Sequence, residues 1–483
     1  MNQSSEVLSN TETIVTEARK AAIDAQCKWW NTAPRDRFRA IFSIAAELAH
    51  RCDELVAAVE RPATAAEILA SEVFPLADSC KFAAKHGPRI LAPRSHQAWL
   101  GSWWMGRVGV SVRSEPWGLV LILAPWNYPL LLAGVQMIQA VAAGNAVLVK
   151  PSPGCEQVTL LFRECMVAAG VPQELVQVLP SEVEAGETAI RLGVDKVVLT
   201  GSAGTGRKVL HMLADVLTPS TMELSGCDAV FVLPQADIKR AAKAIAFALK
   251  LNSGATCIAP RRIFVTQDNL STLCDFLQEE LIDAASTPLR PPILAQANEL
   301  IAAAVADGAR VLTGGDTHSE NFFPTVLVDV QPHMHVAQAD VFAPLVSVIQ
   351  VVDMTEAVRF DAQCPYHLGA SVFGPEPHAS HWAEQIQAGC VTLNDTLIPT
   401  ADPRVSFGGR EHSGWGVTRG PEGLLEMTRP KVVCERRGQW MPHFDRTVAA
   451  DQLLLTHLLK FFHARTLAER LRHGWEFVRS QAK

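Results

Sequence analysis

Between Leu119 and Leu199 the chain alternates short apolar runs with helix-length segments, and this rhythm most constrains its fold. Leu119–Ala124, Ala146–Val149, Leu175–Leu179 and Lys196–Leu199 have the length and apolar content of buried strands. Helical patterns fill the gaps at Leu130–Ala143, Glu156–Ala169 and Ala185–Leu192, the first closed by Gly144-Asn145. Strands apolar on both faces need cover on both faces, which a parallel sheet with flanking helices provides. The expectation is an α/β fold with a doubly wound, Rossmann-type sheet suited to a dinucleotide.

A second α/β block follows Gly226. Its strand-length runs are Ala229–Val232, Ile263–Val265, Val311–Thr313, Leu345–Val352 and Val391–Leu393, with helices at Ile238–Leu251 and Leu270–Ala284. Pro291-Pro292 and the polar stretch 316–321 read as loops. Upstream, residues 10–60 carry helical periodicity. Glu67–Lys85 reads as one helix stopping before Gly87-Pro88, and Arg107–Arg113 alternates like a strand. Asp451–Arg479 reads as one amphipathic helix, with Leu454, Leu458, Phe461, Leu471 and Trp475 apolar and Lys460, Arg465, Arg470 and Arg472 between them. A chain of 483 residues exceeds a single core, so two or three domains are expected.

A net charge of −7 gives no electrostatic pull toward nucleic acid, and 48% hydrophobic residues exclude a disordered chain. Eleven cysteines form an odd set without a C-x-x-C pair, which predicts reduced thiols and a cytoplasmic setting. Met1–Thr13 lacks the basic-then-apolar order of a signal peptide. No apolar run reaches the roughly 18 residues that a bilayer span needs.

Three segments carry chemistry. Cys257 stands in Asn252-Ser253-Gly254-Ala255-Thr256-Cys257, where a thiol between a glycine turn and an apolar segment can act as a nucleophile once ionised. Glu223, in Met222-Glu223-Leu224-Ser225-Gly226, lies 34 residues upstream and can activate water as a partly desolvated base. Asn127, in Pro125-Trp126-Asn127-Tyr128-Pro129, offers a side-chain amide that can stabilise an oxyanion together with the Cys257 backbone N–H. A buried thiol, a salt-bridged carboxylate and a turn asparagine are the ordinary fates of these residue types taken singly. Thr200-Gly201-Ser202-Ala203-Gly204-Thr205-Gly206 follows a strand and opens a helix, as a phosphate-binding turn does, although its spacing is not G-x-G-x-x-G.

In this order, from about residue 15 to residue 431, the segments resemble the aldehyde dehydrogenase superfamily. The resemblance takes in Gly144–Ser152, Thr200–Gly206, Glu223-Leu224, Cys257, Asp340-Val341-Phe342-Ala343-Pro344, Val391–Asp395 and Ser406–Gly414. The Pro-Trp-Asn-Tyr-Pro segment and Gln136 are similar to its class-3-like branch. It implies oxidation of an aldehyde to an acid with NAD or NADP and no metal, with Cys257 as nucleophile, Glu223 as general base and Asn127 as oxyanion donor. It further implies that Lys150 holds the adenosine ribose, Ser202 a phosphate and Asp340 the nicotinamide ribose. Phe342 would pack on the ring, and Trp126, Thr200, Gly201, Gly206 and Leu224 would complete the cofactor set.

The family layout implies a cofactor domain at 1–98 and 118–225 with part of 412–430, and a catalytic domain at 226–411. An oligomerisation element at 99–117 and 431–441 would make a homodimer or homotetramer. Residues 442–483 form a helical extension outside that plan, expected to pack on its own or a neighbouring subunit, with reversible membrane association as the less favoured reading. Pro153 replaces the usual Glu after Lys150, which predicts relaxed choice between NAD and NADP. Asp340 replaces Glu, Ala255 a common Gln, and Cys227 a common Lys. An apolar aliphatic or aromatic aldehyde is expected, with Trp103, Trp104 and Trp117 lining its way in or, alternatively, forming an oligomer contact. The competing functions are an acyl-CoA or acyl-phosphate reductase, which has no need of Glu223, and a non-catalytic cofactor-binding protein.

Overall fold

The computed structural model describes residues 2–96, 108–315, 321–436 and 451–481, with 438, 439, 441, 444 and 447–449. Trp103 and Trp104 lie outside the described residues. The chain divides into a large unit, residues 1–92 and 114–430, and a small one, residues 93–113 and 431–483.

The large unit is built on two sheets. The first has the spatial order Gly414–Trp415, Ser220–Leu224, Lys196–Gly201, Leu119–Leu123, Ala146–Lys150, Val176–Val178. All neighbours run parallel except Gly414–Trp415, which pairs antiparallel with Ser220–Leu224. Leu119–Leu123 lies in the middle, and the chain winds outward from it first on one side and then on the other. That reversal opens a crevice at the carboxyl ends of Leu119–Leu123 and Lys196–Gly201, where ligands bind in such sheets. The expected α/β doubly wound fold is the observed one.

All thirteen residues of the Leu131–Ala143 helix are buried. Its sequence has only Gln136 and Gln139 as polar members, so no face is left for water. Full burial of a leucine contributes about 1.5–3 kcal/mol, and an aspartate at Leu132 would break the packing. The second sheet runs Arg310–Thr313, Thr325–Val328, Leu345–Val351, Pro260–Thr266, Asp228–Val232, Gly369–Phe373, Cys390–Leu393. Only its Arg310–Thr313 edge is antiparallel. A separate apolar cluster covers each face.

Several local expectations need correction. Glu67–Lys85 is not one helix: Ala65–Ile68 leads into a π-helical turn at Leu69–Val73, then an α-helix Phe74–Ile90. That last helix continues past Gly87-Pro88, because a proline in a final turn forfeits a single backbone bond. Pro291-Pro292 is no loop but the first turn of helix Pro291–Ala306, where a missing N–H costs nothing. Thr325–Val328 and Gly369–Phe373 are strands that the sequence reading missed.

The small unit contains a three-stranded sheet, Arg94–His96, Val108–Pro116 and Thr428–Arg436, whose latter two strands run a few residues across the division. The single amphipathic helix expected at Asp451–Arg479 is two, Asp451–His463 and Leu467–Gln481, packed as a hairpin. Thr466 breaks the run, its hydroxyl accepting from the Glu469 N–H as an N-cap does. No helix among the described residues is long and apolar enough to cross a membrane.

Candidate active site

Strand ends set the site. Leu119–Leu123 runs into the turn that carries Trp126 and Asn127. Lys150 ends its strand, Thr200 and Gly201 end the next, and Glu223 and Leu224 end the one beyond. All of these residues line one cavity of about 430 Å³, together with Ser202, Ser225, Cys257, Asp340 and Phe342. Of the residues expected at the site, Gly206 alone is not in its lining; it lies in the first turn of the Ala203–Val216 helix.

The Cys257 loop is held in a backbone shape few sequences allow. Asn252, Ser253 and Gly254 are consecutively left-handed, with φ of 48°, 54° and 70°. A side chain at Gly254 would place Cβ 2.6 Å from the Ala343 carbonyl carbon and Pro344 nitrogen, so glycine is required there. Buried Arg261 fixes the loop from below, donating to the carbonyls of Ala343 (2.8 Å) and Gly254 (2.7 Å). Asn252 ties it sideways, its amide donating to the carbonyls of Asn127 (2.9 Å) and Ala255 (3.3 Å). Arg61 in turn donates to Asn252 Oδ1 at 3.1 Å, to Glu67 at 2.8 Å and to Glu72 at 3.1 Å. Glu72 is fully buried and accepts the backbone N–H groups of Leu130 (2.8 Å) and Leu131 (3.3 Å) at the start of the Leu131–Ala143 helix. One arginine therefore anchors both the Cys257 loop and the turn that presents Asn127.

Asn127 is buried, and its Nδ2 donates to the Ala255 carbonyl at 2.9 Å. A carboxamide has two N–H donors, so one remains for an oxyanion. Glu223 is 3% exposed. Its Oε2 accepts the hydroxyls of Thr200 and Thr418, each at 3.3 Å, and its Oε1 has no partner. Gln136 donates to Thr200 Oγ1 at 2.8 Å and so leaves that hydroxyl's proton for Glu223. Burial raises the Glu223 carboxyl above its ordinary range, against the opposing charge of Arg419 and the two threonine bonds.

Half-buried Cys257 is likewise pushed up, first by desolvation and then by the Glu223 and Asp228 carboxylates, with Arg419 opposing. Desolvation, with three carboxylates facing the sulfur against one arginine, therefore favours the thiol over the thiolate. Arg419 is buried, donates to the Thr400 carbonyl at 2.7 Å, and sits 4.5 Å from the Phe407 ring centroid.

The other end of the cavity suits a dinucleotide. Ser202 caps the Ala203–Val216 helix by accepting the Thr205 N–H, leaving a helix N-terminus toward the cavity. Lys150 Nζ is pinned to the Ser181 carbonyl at 2.7 Å, and burial lowers its pKa. Asp340 accepts the Ser225 hydroxyl through one oxygen, while its other oxygen is buried and unpartnered and so keeps its capacity to accept a hydrogen bond. Phe342 stands 6.0 Å from Trp126 at a tilt of 48°, and the Arg290 guanidinium lies 4.0 Å above Trp126. Pro153 is exposed and outside the lining, which instead holds Glu187 and Lys208. Trp117 does not line the cavity; its indole donates to the Glu426 carbonyl at 2.9 Å.

Sequence reasoning missed Arg61, Glu72, Thr200 as a Glu223 partner, Thr418 and Arg419. Their contacts with the Asn252 loop, Leu130 and Glu223 join segments distant or separate in sequence, so no local motif could reveal them; only Gln136 carried a signal, as an isolated glutamine in an apolar helix.

The fold has known counterparts. The chain is 29% identical over 450 residues to the 4,4'-diapolycopene aldehyde oxidase of a Methylomonas species, covering 89% of this chain and 83% of that protein. Among solved structures, the NADP-dependent glyceraldehyde-3-phosphate dehydrogenase of Bacillus halodurans, complexed with NADP, superposes with a TM-score of 0.79 at 27% identity. It covers 88% of this chain and 91% of its own. An aldehyde dehydrogenase of Mycobacterium tuberculosis complexed with NAD⁺ gives a TM-score of 0.79 at 25% identity, over the same shares. The model of the aldehyde dehydrogenase family matches residues 2–433, and the chain belongs to that family.

Proposed function

We propose that the chain oxidises an apolar aldehyde to its carboxylic acid with NAD or NADP, through a thiohemiacetal and then a thioester on Cys257. One observation carries this reading: Cys257, Glu223 and Asn127, from three separate elements, line one cavity with Lys150, Ser202 and Asp340. Cys257 gives its thiol proton to water and attacks the carbonyl carbon as the thiolate. The free N–H of Asn127, with the Cys257 backbone N–H, supports the resulting oxyanion. Glu223, poised by its raised pKa, takes a proton from water that cleaves the thioester.

Lys150, Asp340, Phe342 and the helix start at Ser202 would hold the dinucleotide, which when bound supplies the hydride acceptor. Trp126, Leu132, Ile293 and Phe342 give the cavity an apolar wall, which supports an apolar substrate. We read residues 1–98 and 118–225, with part of 412–430, as the cofactor domain and 226–411 as the catalytic domain. Residues 99–117 and 431–441 would be an oligomerising element of a dimer or tetramer. Eleven free cysteines support a reducing, cytoplasmic setting.

The test is reduced-nicotinamide absorbance across aliphatic and aromatic aldehydes with each cofactor. Turnover in the wild type and none in Cys257→Ala is expected; equal rates in the two would refute the assignment. With no carboxylate at position 153, kcat/KM for NAD and NADP should be comparable, and strict use of NAD would defeat that part.

A further inference from the structure

The small unit carries a cluster that aldehyde oxidation does not use. His457 projects from the Asp451–His463 helix, while His473 and Glu476, three residues apart, project from the Leu467–Gln481 helix facing it. Residues three apart share one helix face, so three ligating side chains converge from two helices. Glu476 Oε2 lies 3.2 Å from His457 Nδ1 and 2.8 Å from His473 Nδ1, and one ligating atom from each of the three residues falls within 4.8 Å of the others. Ligands on a tetrahedral zinc ion, bound at about 2.0–2.2 Å, stand roughly 3.3 Å apart. The two Glu476–histidine edges lie within about 0.5 Å of that spacing.

A plain ion pair leaves one detail unexplained. His457 Nδ1 is buried and makes no hydrogen bond, although a carboxylate oxygen lies 3.2 Å away. The approach is poor for an N–H···O bond, yet close enough for two ligands of one ion. The imidazoles are largely enclosed, with His457 and His473 side chains 16% and 13% exposed. The helices meet tightly beside them: a Cβ at Gly474 would come 2.9 Å from the Phe461 ring. No other three-ligand group of this kind occurs among the described residues.

We propose that His457, His473 and Glu476 bind one divalent zinc ion that clips the C-terminal hairpin together. Two neutral nitrogens and one carboxylate oxygen are the donor set zinc accepts, with water in the fourth position. The ion needs Nδ1 of His473 as a lone pair, so that ring carries its proton on Nε2, which now lies 3.4 Å from Arg472. That exposed contact is given up on binding. The site adds a further link between helices that already pack side by side, and metal binding thereby adds to hairpin stability.

Thiols complicate the test, because the eleven free cysteines also bind zinc. Full-length protein, chelator-treated and kept reduced, is therefore titrated with Co²⁺, whose visible bands report tetrahedral nitrogen–oxygen coordination and whose near-ultraviolet bands report thiolate. Wild type should show one nitrogen–oxygen site that Zn²⁺ displaces, and His457→Ala/His473→Ala should lack it. Glu476→Gln keeps the side chain's shape and should weaken binding at least about tenfold, since even outer-shell losses cost that much. Hydrogen exchange across 451–481 should slow on adding Zn²⁺ to wild type alone. Identical cobalt spectra and uptake in wild type and Glu476→Gln would overturn the proposal, even if the double variant failed to fold. Aldehyde turnover should be unchanged in Glu476→Gln, so the outcome is independent of the Cys257 mechanism.

Discussion

Glu223 has one oxygen held by two threonine hydroxyls and one buried without a partner. Only its ionised form is a base, and burial has raised its pKa. The thioester-hydrolysis rate should therefore fall as pH drops through that raised value, at higher pH than an ordinary glutamate would give. Cys257 adds a second dependence, since its own pKa lies above that of a free thiol. Alkylation of Cys257 should keep accelerating with pH beyond the range where an exposed cysteine levels off. Glu223→Gln should retain a first-turnover burst while losing the steady state by roughly 10²–10⁴-fold, the usual worth of a general base. Stopped-flow reduction of the cofactor separates the two phases; a lost burst would show that Glu223 acts before the thioester.

At the scale of elements, Arg61 joins three of them: the π-helical turn containing Glu72, the start of the Leu131–Ala143 helix, and the Asn252 loop. Its side chain is 3% exposed and that of Glu72 is 0% exposed. Removing one partner of such a buried pair costs about 3–5 kcal/mol. Protonation of Glu72, whose pKa burial already raises, brings the expectation for Arg61→Ala to the low end of that range. Urea unfolding checks the loss, and a change under about 1 kcal/mol would mean that the pair is not structural.

The same network marks where the sequence stops being legible. The alternating runs from Leu119 to Leu199 announced the central strands, because each is buried on both faces. Cys257, Glu223 and Asn127 were legible through their local wording. Arg61 and Glu72 gave no such signal: besides pairing with each other, they reach Asn252 and Leu130, 191 and 58 positions away. Gly369–Phe373 escaped notice because its glycine, serine and alanine content weakens strand patterning. Thr466 divided the C-terminal helix where amphipathic periodicity ran on without a break.

Across the whole molecule, the hairpin stands out for the apolar surface it leaves uncovered. Leu453, Leu459, Leu467, Leu471, Trp475 and Val478 are 58–72% exposed within two short helices. Patches of this kind mark contacts with a partner or membrane. Packing of the hairpin against a neighbouring subunit predicts that deleting residues 451–483 lowers the assembly state in analytical ultracentrifugation while leaving the Cys257 site intact. An unchanged sedimentation profile would count against a subunit contact, and flotation of the full chain with anionic liposomes, lost on the same deletion, would point to a lipid surface.

The arginine shared by the Asn127 turn and the Cys257 loop has a last consequence. Because Arg61 and Asn252 bind the Asn127 turn and the Cys257 loop to each other, neither can fray alone. Both segments should exchange their amide hydrogens in one cooperative opening with a common free energy. Two-step exchange, one segment well before the other, would mean that the halves of the catalytic centre come apart separately. Joint opening makes inactivation by heat or denaturant an all-or-none event, with no half-assembled centre left to react with stray electrophiles.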